Sequence, residues 1–291
     1  MLKRKNKTFA LVIPRFEDIF HSFYAGEIIK GVSLAASRLK ADILMHITDR
    51  FDHQDWLDSP ALTQEYIDGI IFADINNDVI MLRKVIQKGI PYMVLNNTFQ
   101  EPINCIAVDN RKAAYDIVEY FIEKGHRKIA TIAGDLSTQA GKLRLDGYKE
   151  ALSQHGIKLN EEYLATGDFL RTPARKSAEK LLQLKNRPTA IFAASDVMAL
   201  ELLDEAKKQK VGVPDELSVV GFDDNPLNVY SPIKLSTVLQ PLVEMGRLGL
   251  EHLSQIAAGQ MKVPVKITLA TKFIERESVR TISPKEADEK K

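Results

Sequence analysis

The chain has 291 residues, which is long for one domain and suits two domains or two lobes of an α/β protein. Its 40 basic and 39 acidic residues give a net charge of +1, so no overall basic excess indicates nucleic acid or an anionic membrane as a partner. The single cysteine, Cys105, excludes an internal disulfide framework, and no apolar run approaches the roughly 20 residues of a membrane span. The basic N-terminus is followed by only five apolar residues and no cleavage site, so we expect no secretion signal and a cytoplasmic protein.

Short apolar runs alternate with amphipathic helical patterns along the whole chain. The predicted strands cover residues 8–13, 43–47, 69–73, 90–95, 105–108, 129–133, 163–166, 190–194, 218–222, 235–239 and 265–274. Strands that alternate with helices predict an α/β protein whose parallel sheets are covered by helices on both faces, the doubly wound architecture. One sheet would need an unusually large number of strands, so the pattern favours two lobes that divide near Gly125.

The segment 187–224 is a complete strand, helix and strand unit. Ser195 or Asp196 can cap its helix, and the two strands must run parallel because a crossover helix joins them. Ligands of open parallel sheets bind outside the carboxyl ends of the strands. We therefore expect Ser195, Asp196, Asp223 and Asp224 to lie near a ligand site, although the first pair can also be only an N-cap and the second pair only a turn.

This unit resembles the effector-binding core of the lactose-repressor (LacI) family of bacterial transcriptional regulators, which reads P-x-D-x-S-V-x-G-[FY]-D-[DN] after an Asn/Ser-Asp pair. Its matching residues are Ser195, Asp196, Pro214, Asp215, Ser218, Val219, Gly221, Phe222, Asp223 and Asp224. A second family signature, R-x-x-G-[FY], is matched by Arg144, Gly147 and Tyr148. The resemblance extends from the strand at Phe9 to Ser278. It implies the periplasmic-binding-protein type I fold, in which the chain crosses three times between two Rossmann-like lobes.

The resemblance and the repeat together predict the domain boundaries. They assign residues 8–125 and 241–262 to an N-terminal lobe, residues 126–240 and 263–281 to a C-terminal lobe, and residues 282–291 to a disordered tail.

Three polar side chains are candidates for binding a small polar ligand. Arg144 offers a rigid fork of donors that suits hydroxyl pairs and ring oxygens, although a lone arginine is more often a solvated helix residue. Asp223 can accept hydrogen bonds from two adjacent hydroxyls, which is typical of sugar recognition. Gln240, in the segment S-T-V-L-Q-P, matches a family segment at the lobe boundary. We expect substitution of Arg144 or Asp223 by Ala to weaken ligand binding and to disturb folding little.

Aromatic side chains are candidates for stacking on the apolar face of a sugar ring or on a base, and the alternative for each is a place in the core. The candidate ligand-binding aromatics are Phe20, Phe23, Tyr24 and Phe169.

Catalytic and metal sites are not indicated. The sequence has no G-x-G-x-x-G after a strand, no Walker loop, no G-x-S-x-G and no H-E-x-x-H, and its six histidines lack metal-ligand spacing. A Mg²⁺ site at Asp223 and Asp224 is less favoured than ligand binding. The sequence thus predicts a protein that is not an enzyme and that uses no cofactor and no metal.

The resemblance implies an effector-binding and dimerisation domain with a small ligand, most often a sugar, in the cleft between the lobes. Its partners would be the effector, a second copy of the chain in a homodimer, and DNA, but no membrane. DNA would be bound only through a helix-turn-helix, which does not precede Thr8 in this sequence. The alternative is a free-standing carbohydrate-binding protein for transport or chemotaxis. An enzyme of doubly wound fold would need a nucleotide or nucleophile motif.

Overall fold

The computed structural model describes residues 7–14, 22–48, 62–63, 65–75 and 79–283. Contacts between Cα atoms divide the chain into two units, which we call unit 1 (Met1–Val108 and Pro241–Ala270) and unit 2 (Asp109–Gln240 and Thr271–Lys291). The chain therefore passes from one unit to the other three times. The described part of the chain has no helix long and apolar enough to cross a membrane.

In its described residues, unit 1 contains a parallel sheet of six strands flanked by three helices. Its strands are β1 (Thr8–Pro14), β2 (Asp42–Thr48), β3 (Gly69–Phe72), β4 (Tyr92–Leu95), β5 (Cys105–Val108) and β11 (Lys266–Leu269), in the spatial order β11-β5-β4-β3-β1-β2. Its helices are α1 (Phe23–Leu39), α2 (Val79–Gln87) and α7 (Leu242–Ala257).

The inner strands of the unit 1 sheet are buried on both faces, and β1 illustrates why such a strand is apolar throughout. Phe9, Leu11 and Ile13 face one core with residues of α1 and α7, while Ala10 and Val12 face a second core with residues of α2. Successive side chains of a strand point to opposite faces, so a strand buried on both sides reads as one continuous apolar run.

The part of unit 2 that the structure describes, up to residue 283, contains a parallel sheet of four strands, a small antiparallel pair and four α-helices. The sheet order is β7-β6-β8-β9, formed by β6 (Ile129–Ala133), β7 (Leu164–Thr166), β8 (Ala190–Ala193) and β9 (Ser218–Val220), and the pair is β10 (Thr237–Leu239) with β12 (Lys272–Ile274). The helices are α3 (Asn110–Glu123), α4 (Gln139–Gln154), α5 (Arg171–Leu182) and α6 (Asp196–Lys208). These two units confirm the predicted α/β class with doubly wound parallel sheets.

The segments after β9 cover its outer edge. The N–H of Val219 donates to the carbonyl of Ser278 at 2.8 Å, and the N–H of Gly221 donates to the carbonyl of Ser236 at 2.9 Å. The hydroxyl of Ser278 donates to the carbonyl of Val219 at 2.6 Å, and Ser278 itself is fully buried. The chain that follows β12 is therefore part of the sheet's hydrogen bonding.

The boundaries of the units differ from the predicted lobes at two places. Helix α3 belongs to unit 2 because it packs closely on α4, where a Cβ atom at Gly147 would lie 2.1 Å from the carbonyl oxygen of Arg111. The predicted strand 265–274 is divided, because β11 pairs with β5 in unit 1 whereas β12 pairs with β10 in unit 2. At the predicted tail, the N–H of Ile282 donates to the carbonyl of Lys124 at 2.7 Å, and residues 284–291 lie outside the described residues.

Candidate functional site

Polar and aromatic side chains gather at the carboxyl edge of the unit 2 sheet. Strands β6, β8 and β9 are parallel neighbours, so the residues that follow them meet at one edge. Ser195 follows β8, and Asp223 follows β9. Two further side chains reach the same edge, Arg144 from α4 and Gln240 from the residue after β10.

The planar guanidinium of Arg144 is held by hydrogen bonds along its edge and by an aromatic ring against its face. Only 3% of the residue is exposed, which excludes the alternative of a solvated helix residue. Its Nε donates to Asn110 Oδ1 at 2.8 Å, and its Nη1 donates to the carbonyl of Ala194 at 2.6 Å. Its Cζ lies 3.6 Å from the ring centroid of Phe222, a cation–π contact. The guanidinium therefore joins the start of α3 to the end of β8 and places its charge at the sheet edge.

Asp223 has a backbone conformation that is unusual for a residue with a side chain, with φ of 129°. Its Oδ1 accepts a hydrogen bond from Gln240 Nε2 at 2.6 Å, and its N–H donates to the carbonyl of Val238 at 2.8 Å. Burial raises the pKa of Asp223 to about 7; the charge of Arg144 opposes this rise, and the nearby Asp196 adds to it.

Gln240 carries an acceptor that the described residues leave unused. The side chain is buried and donates through Nε2 to Asp223, but its Oε1 has no hydrogen-bond partner among the described residues. A buried acceptor without a partner costs free energy, so it points to a donor supplied by a ligand or by water.

Phe169 lies beside Arg144, with its ring centroid 5.7 Å from the guanidinium carbon. Phe169 and the preceding Asp168 both have positive φ, at 61° and 53°, which turns the chain sharply after β7. The ring lies against Gly134, where a Cβ atom would be 2.0 Å from the ring Cζ. Glycine after β6 is therefore what allows the ring to occupy this position.

Ser195 and Asp196 have different roles at the start of α6. Ser195 is the N-cap, and its Oγ accepts from the N–H of Met198 at 3.4 Å. Asp196, with 0% exposure, accepts from Thr237 Oγ1 through one carboxylate oxygen. Its other oxygen accepts from the N–H of Asn225 and from Asn228 Nδ2. Asp196 is thus bonded within the protein.

Asp224, the second acid of the Asp-Asp pair, accepts from Arg276 Nη2 at 2.6 Å in an ion pair. Arg276 also donates to the carbonyl of Leu235, so this contact joins the segment after β12 to the segment before β10. The carboxylate of Asp224 is therefore held in a long-range ion pair within unit 2.

Two of the three predicted aromatics from the N-terminal region lie at the carboxyl edge of the unit 1 sheet. Phe23 and Tyr24 form the first turn of α1, which follows β1. The hydroxyl of Tyr24 donates to the carbonyl of Ala73 at the end of β3, and Phe23 packs against the core of unit 1. Phe20 lies outside the described residues.

The sequence reasoning missed a group of buried polar residues at this edge of unit 1: Asp74, Asn96 and Asn97. Asn97 Oδ1 accepts from the N–H of Ile75 at 3.3 Å, whereas Asn96 Oδ1 and Asn97 Nδ2 have no hydrogen-bond partner among the described residues. Asn96 also has a positive φ of 63°. The sequence contains a signal for Asn96 and Asn97, because polar residues that directly follow an apolar strand, here β4, lie at the carboxyl edge of the sheet.

The described residues contain no group of three or more His, Cys, Asp and Glu side chains that could hold a metal ion. The chemistry gathered at the unit 2 edge is instead that of polar recognition, with a buried cation, an acid, an amide and an aromatic ring.

Comparisons with known proteins place the chain in a class. The family described as "Periplasmic binding protein-like domain" matches residues 118–279. The HTH-type transcriptional repressor CytR of Escherichia coli K12 is 32% identical over 262 residues, which are 89% of this chain and 75% of CytR. The HTH-type transcriptional regulator CelR of Thermobifida fusca is 30% identical over 283 residues, which are 96% of this chain and 83% of CelR.

The solved structure of the transcriptional regulator CelR in complex with cellobiose is similar in fold. It has a TM-score of 0.85 and 28% sequence identity, and the alignment covers 94% of this chain and 85% of that one. The fold and these matches define a periplasmic-binding-protein-like domain. The chain belongs to the LacI family of transcriptional regulators. The relatives named above are transcriptional regulators and not enzymes.

Proposed function

We propose that this chain binds a small polyhydroxy effector, a sugar, at the carboxyl edge of the unit 2 sheet, and that binding controls DNA binding by the regulator. Arg144, Asp223 and Gln240 are the proposed polar contacts, Ser195 a further one, and Phe169 the proposed stacking surface.

The observation that carries this proposal is the pairing of Asp223 with Gln240. One carboxylate and one amide oxygen lie together, and the amide oxygen is buried with no partner among the described residues. Acceptors in this arrangement suit adjacent hydroxyl groups, while a neighbouring aromatic ring suits the C–H face of a sugar ring. The similarity to a regulator solved with cellobiose supports a sugar as the effector class.

The carboxyl edge of unit 1 supplies a second set of proposed contacts. Asn96 Oδ1 is an acceptor and Asn97 Nδ2 a donor, and both are buried without a partner among the described residues. Phe23 and Tyr24 remain proposed contacts at that edge, and their described bonds are to the core and to the carbonyl of Ala73. A hydroxyl group satisfies either amide atom, because it both donates and accepts.

A thermal-shift panel tests the proposal, with cellobiose, other mono- and disaccharides, nucleobases and sugar phosphates as probes. A ligand that binds only the folded protein at about 100 times its Kd stabilises it by about 2.7 kcal/mol, which is easily seen as a rise in melting temperature. We expect at least one sugar to give such a rise. If no compound in any class shifts the melting temperature, the proposal is wrong.

Asp223→Asn then tests the residue assignment against a matched control. Loss of a charge-assisted hydrogen bond is worth roughly 1.5 to 3 kcal/mol, so the stabilising sugar should bind about 10- to 100-fold more weakly. Asp204→Asn removes a carboxylate from α6 that pairs with Lys208 at the surface, and should leave the affinity unchanged. Equal affinity of the Asp223 variant and the wild type by calorimetry would contradict the assignment.

We also propose that the chain forms a homodimer, in which an effector that binds two subunit arrangements with different affinity would shift the relative position of two DNA-binding domains. In α2, the side chain of Ile80 is 71% exposed and that of Ile86 is 39% exposed, which makes this helix a candidate contact with a second copy. Light scattering at micromolar concentration is expected to give the mass of a dimer. A monomer with and without the stabilising sugar would favour a binding protein of the transport type.

A further inference from the structure

The carboxylate of Asp196 joins two chain segments that lie roughly thirty and forty residues further along the sequence. Thr237 Oγ1 donates to its Oδ1 at 2.6 Å, and the N–H of Asn225 and Asn228 Nδ2 each donate to its Oδ2 at 2.7 Å. Gly221 permits this arrangement, because a Cβ atom there would lie 2.1 Å from Asp196 Oδ1. Both oxygens are therefore used, at a position with 0% exposure.

One of the joined segments leads to the proposed effector contacts. Thr237 begins β10, and β10 runs directly to Gln240, which donates to Asp223. The same hydroxyl of Thr237 also accepts from the N–H of Asp224 at 3.4 Å. Asp196 thus supports both sides of the pair formed by Asp223 and Gln240, and it follows Ser195 directly in the chain.

The other segment is an exposed apolar turn. Residues Pro226–Tyr230 form a 3-10 turn capped by Asn225, whose Oδ1 accepts from the N–H of Leu227 at 2.9 Å. The turn exposes 57% of Leu227, 59% of Val229 and 84% of Tyr230. The hydrogen bonds from Asn225 and Asn228 to Asp196, together with the bond from Lys234 Nζ to the carbonyl of Val229 at 2.7 Å, fix this turn to the rest of unit 2.

We propose that Asp196 is a positioning residue rather than an effector contact, and that its carboxylate mechanically couples the Asp223–Gln240 pair to the apolar turn 226–230. The assignment of Asp223 and Gln240 as effector contacts rests on the proposed function, whereas the coupling is a property of the protein without any ligand. A displacement of β10 changes the bond to Thr237, and the carboxylate can follow only by changing its bonds to Asn225 and Asn228.

The negative charge of Asp196 should have a measurable effect on the pKa of Asp223. Burial is the largest cause that raises the pKa of Asp223, Arg144 and the hydrogen bond from Gln240 lower it, and the negative charge of Asp196 raises it further. For Asp196 itself, burial raises the pKa, the three donors oppose that rise, and the charge of Asp224 adds to it. Removing the charge of Asp196 should therefore lower the pKa of Asp223.

Hydrogen exchange of the unliganded protein tests the coupling without knowledge of the effector. Asn228→Ala removes one bond to the turn and touches nothing on β10. We expect about tenfold faster amide exchange in residues 225–230 and, through Asp196, a measurable acceleration in residues 237–240 as well. Thr237→Val removes the donor to Asp196 and also the acceptor of the Asp224 N–H, and it should affect β10 most and the turn second, so Asn228→Ala is the variant that isolates the path through Asp196. If each variant accelerates exchange only in its own segment, the coupling does not exist.

Asp196→Asn tests the electrostatic part, with Asp204→Asn on the same helix as the control. The carboxyl titration of Asp223, followed by carbon NMR, should move to lower pH in the Asp196 variant and should not move in the control. An unchanged titration in a folded Asp196 variant would overturn the assignment. If the Asp196 variant does not fold, hydrogen exchange of Asn228→Ala and Thr237→Val still tests the coupling. A negative sugar panel would refute the proposed function alone, since neither measurement here uses a ligand.

Discussion

Replacing Arg144 by Lys tests whether its guanidinium is as central to unit 2 as its contacts indicate. The sequence alone predicted that truncating Arg144 would disturb folding little. The structure leads to a different expectation, because two buried acceptors, Asn110 Oδ1 and the carbonyl of Ala194, take their hydrogen bonds from this one side chain. A single ammonium group cannot reproduce the geometry of the planar fork.

The expected loss follows from those contacts. A buried acceptor left without a donor costs about 1 to 3 kcal/mol, and the lost stacking on Phe222 costs about 0.5 to 2 kcal/mol. A lysine ammonium can satisfy one of the two acceptors, so we expect Arg144→Lys to lower the free energy of unfolding by about 1.5 to 5 kcal/mol, measured by urea denaturation followed by circular dichroism.

Arg111→Lys is the matched control, because it alters an exposed arginine that also bonds through Nε, to Glu150 at 2.6 Å. Exposed ion pairs contribute about 0 to 1 kcal/mol, so this variant should unfold almost as the wild type does. If the variants at positions 144 and 111 have the same free energy of unfolding, the reasoning about buried acceptors is wrong.

Two further predictions concern buried positions away from the site. Burial lowers the pKa of His126 to about 4, so between pH 6.5 and 4 the unfolded chain binds a proton that the folded chain does not. The free energy of unfolding should therefore fall as the pH drops through this range, and His126→Gln should show a shallower fall in denaturation series at several pH values; equal slopes would contradict this. Gly147→Ala places a Cβ atom against the carbonyl of Arg111 and should cost about 1 to 3 kcal/mol of stability, whereas Gly26→Ala in α1, where nothing lies within 4 Å, should gain about 0.5 to 1 kcal/mol. Melting temperatures that do not separate these two alanine variants would refute the packing argument.

Local periodicity was enough to predict most of the elements, because a strand buried on both faces and a helix buried on one have different spacings of apolar residues, but it merged β11 and β12 into one strand. It could not decide which sheet a helix packs on. Helix α3 was assigned to the first lobe by its position in the chain, yet its packing partner is α4, through a close approach at Gly147. That contact joins residues about forty positions apart, and no local pattern records it.

For the candidate site, too, the sequence predicted which residues lie at the sheet edge but not which tertiary contacts they make. The rule that ligand residues follow parallel strands placed Ser195 and Asp223 at the sheet edge, and the resemblance to a family added Arg144. The role of Asp196 was beyond the sequence, because an acid before a helix can equally be a cap, a ligand contact or a buried anchor. Its donors Asn225 and Thr237 lie roughly thirty to forty residues further along the chain and reach it only in the folded protein.

The segment that covers the outer edge of β9 also bears on how far the chain can be shortened. A chain ending at residue 270 would lose Ser278, and Val219 would then present an unpaired N–H and C=O to solvent. An open apolar edge strand is a template for pairing with other chains. We expect such a shortened protein to self-associate into β-rich aggregates on storage, so the final strand and the residues after it protect unit 2 against misassembly as well as completing its hydrogen bonds.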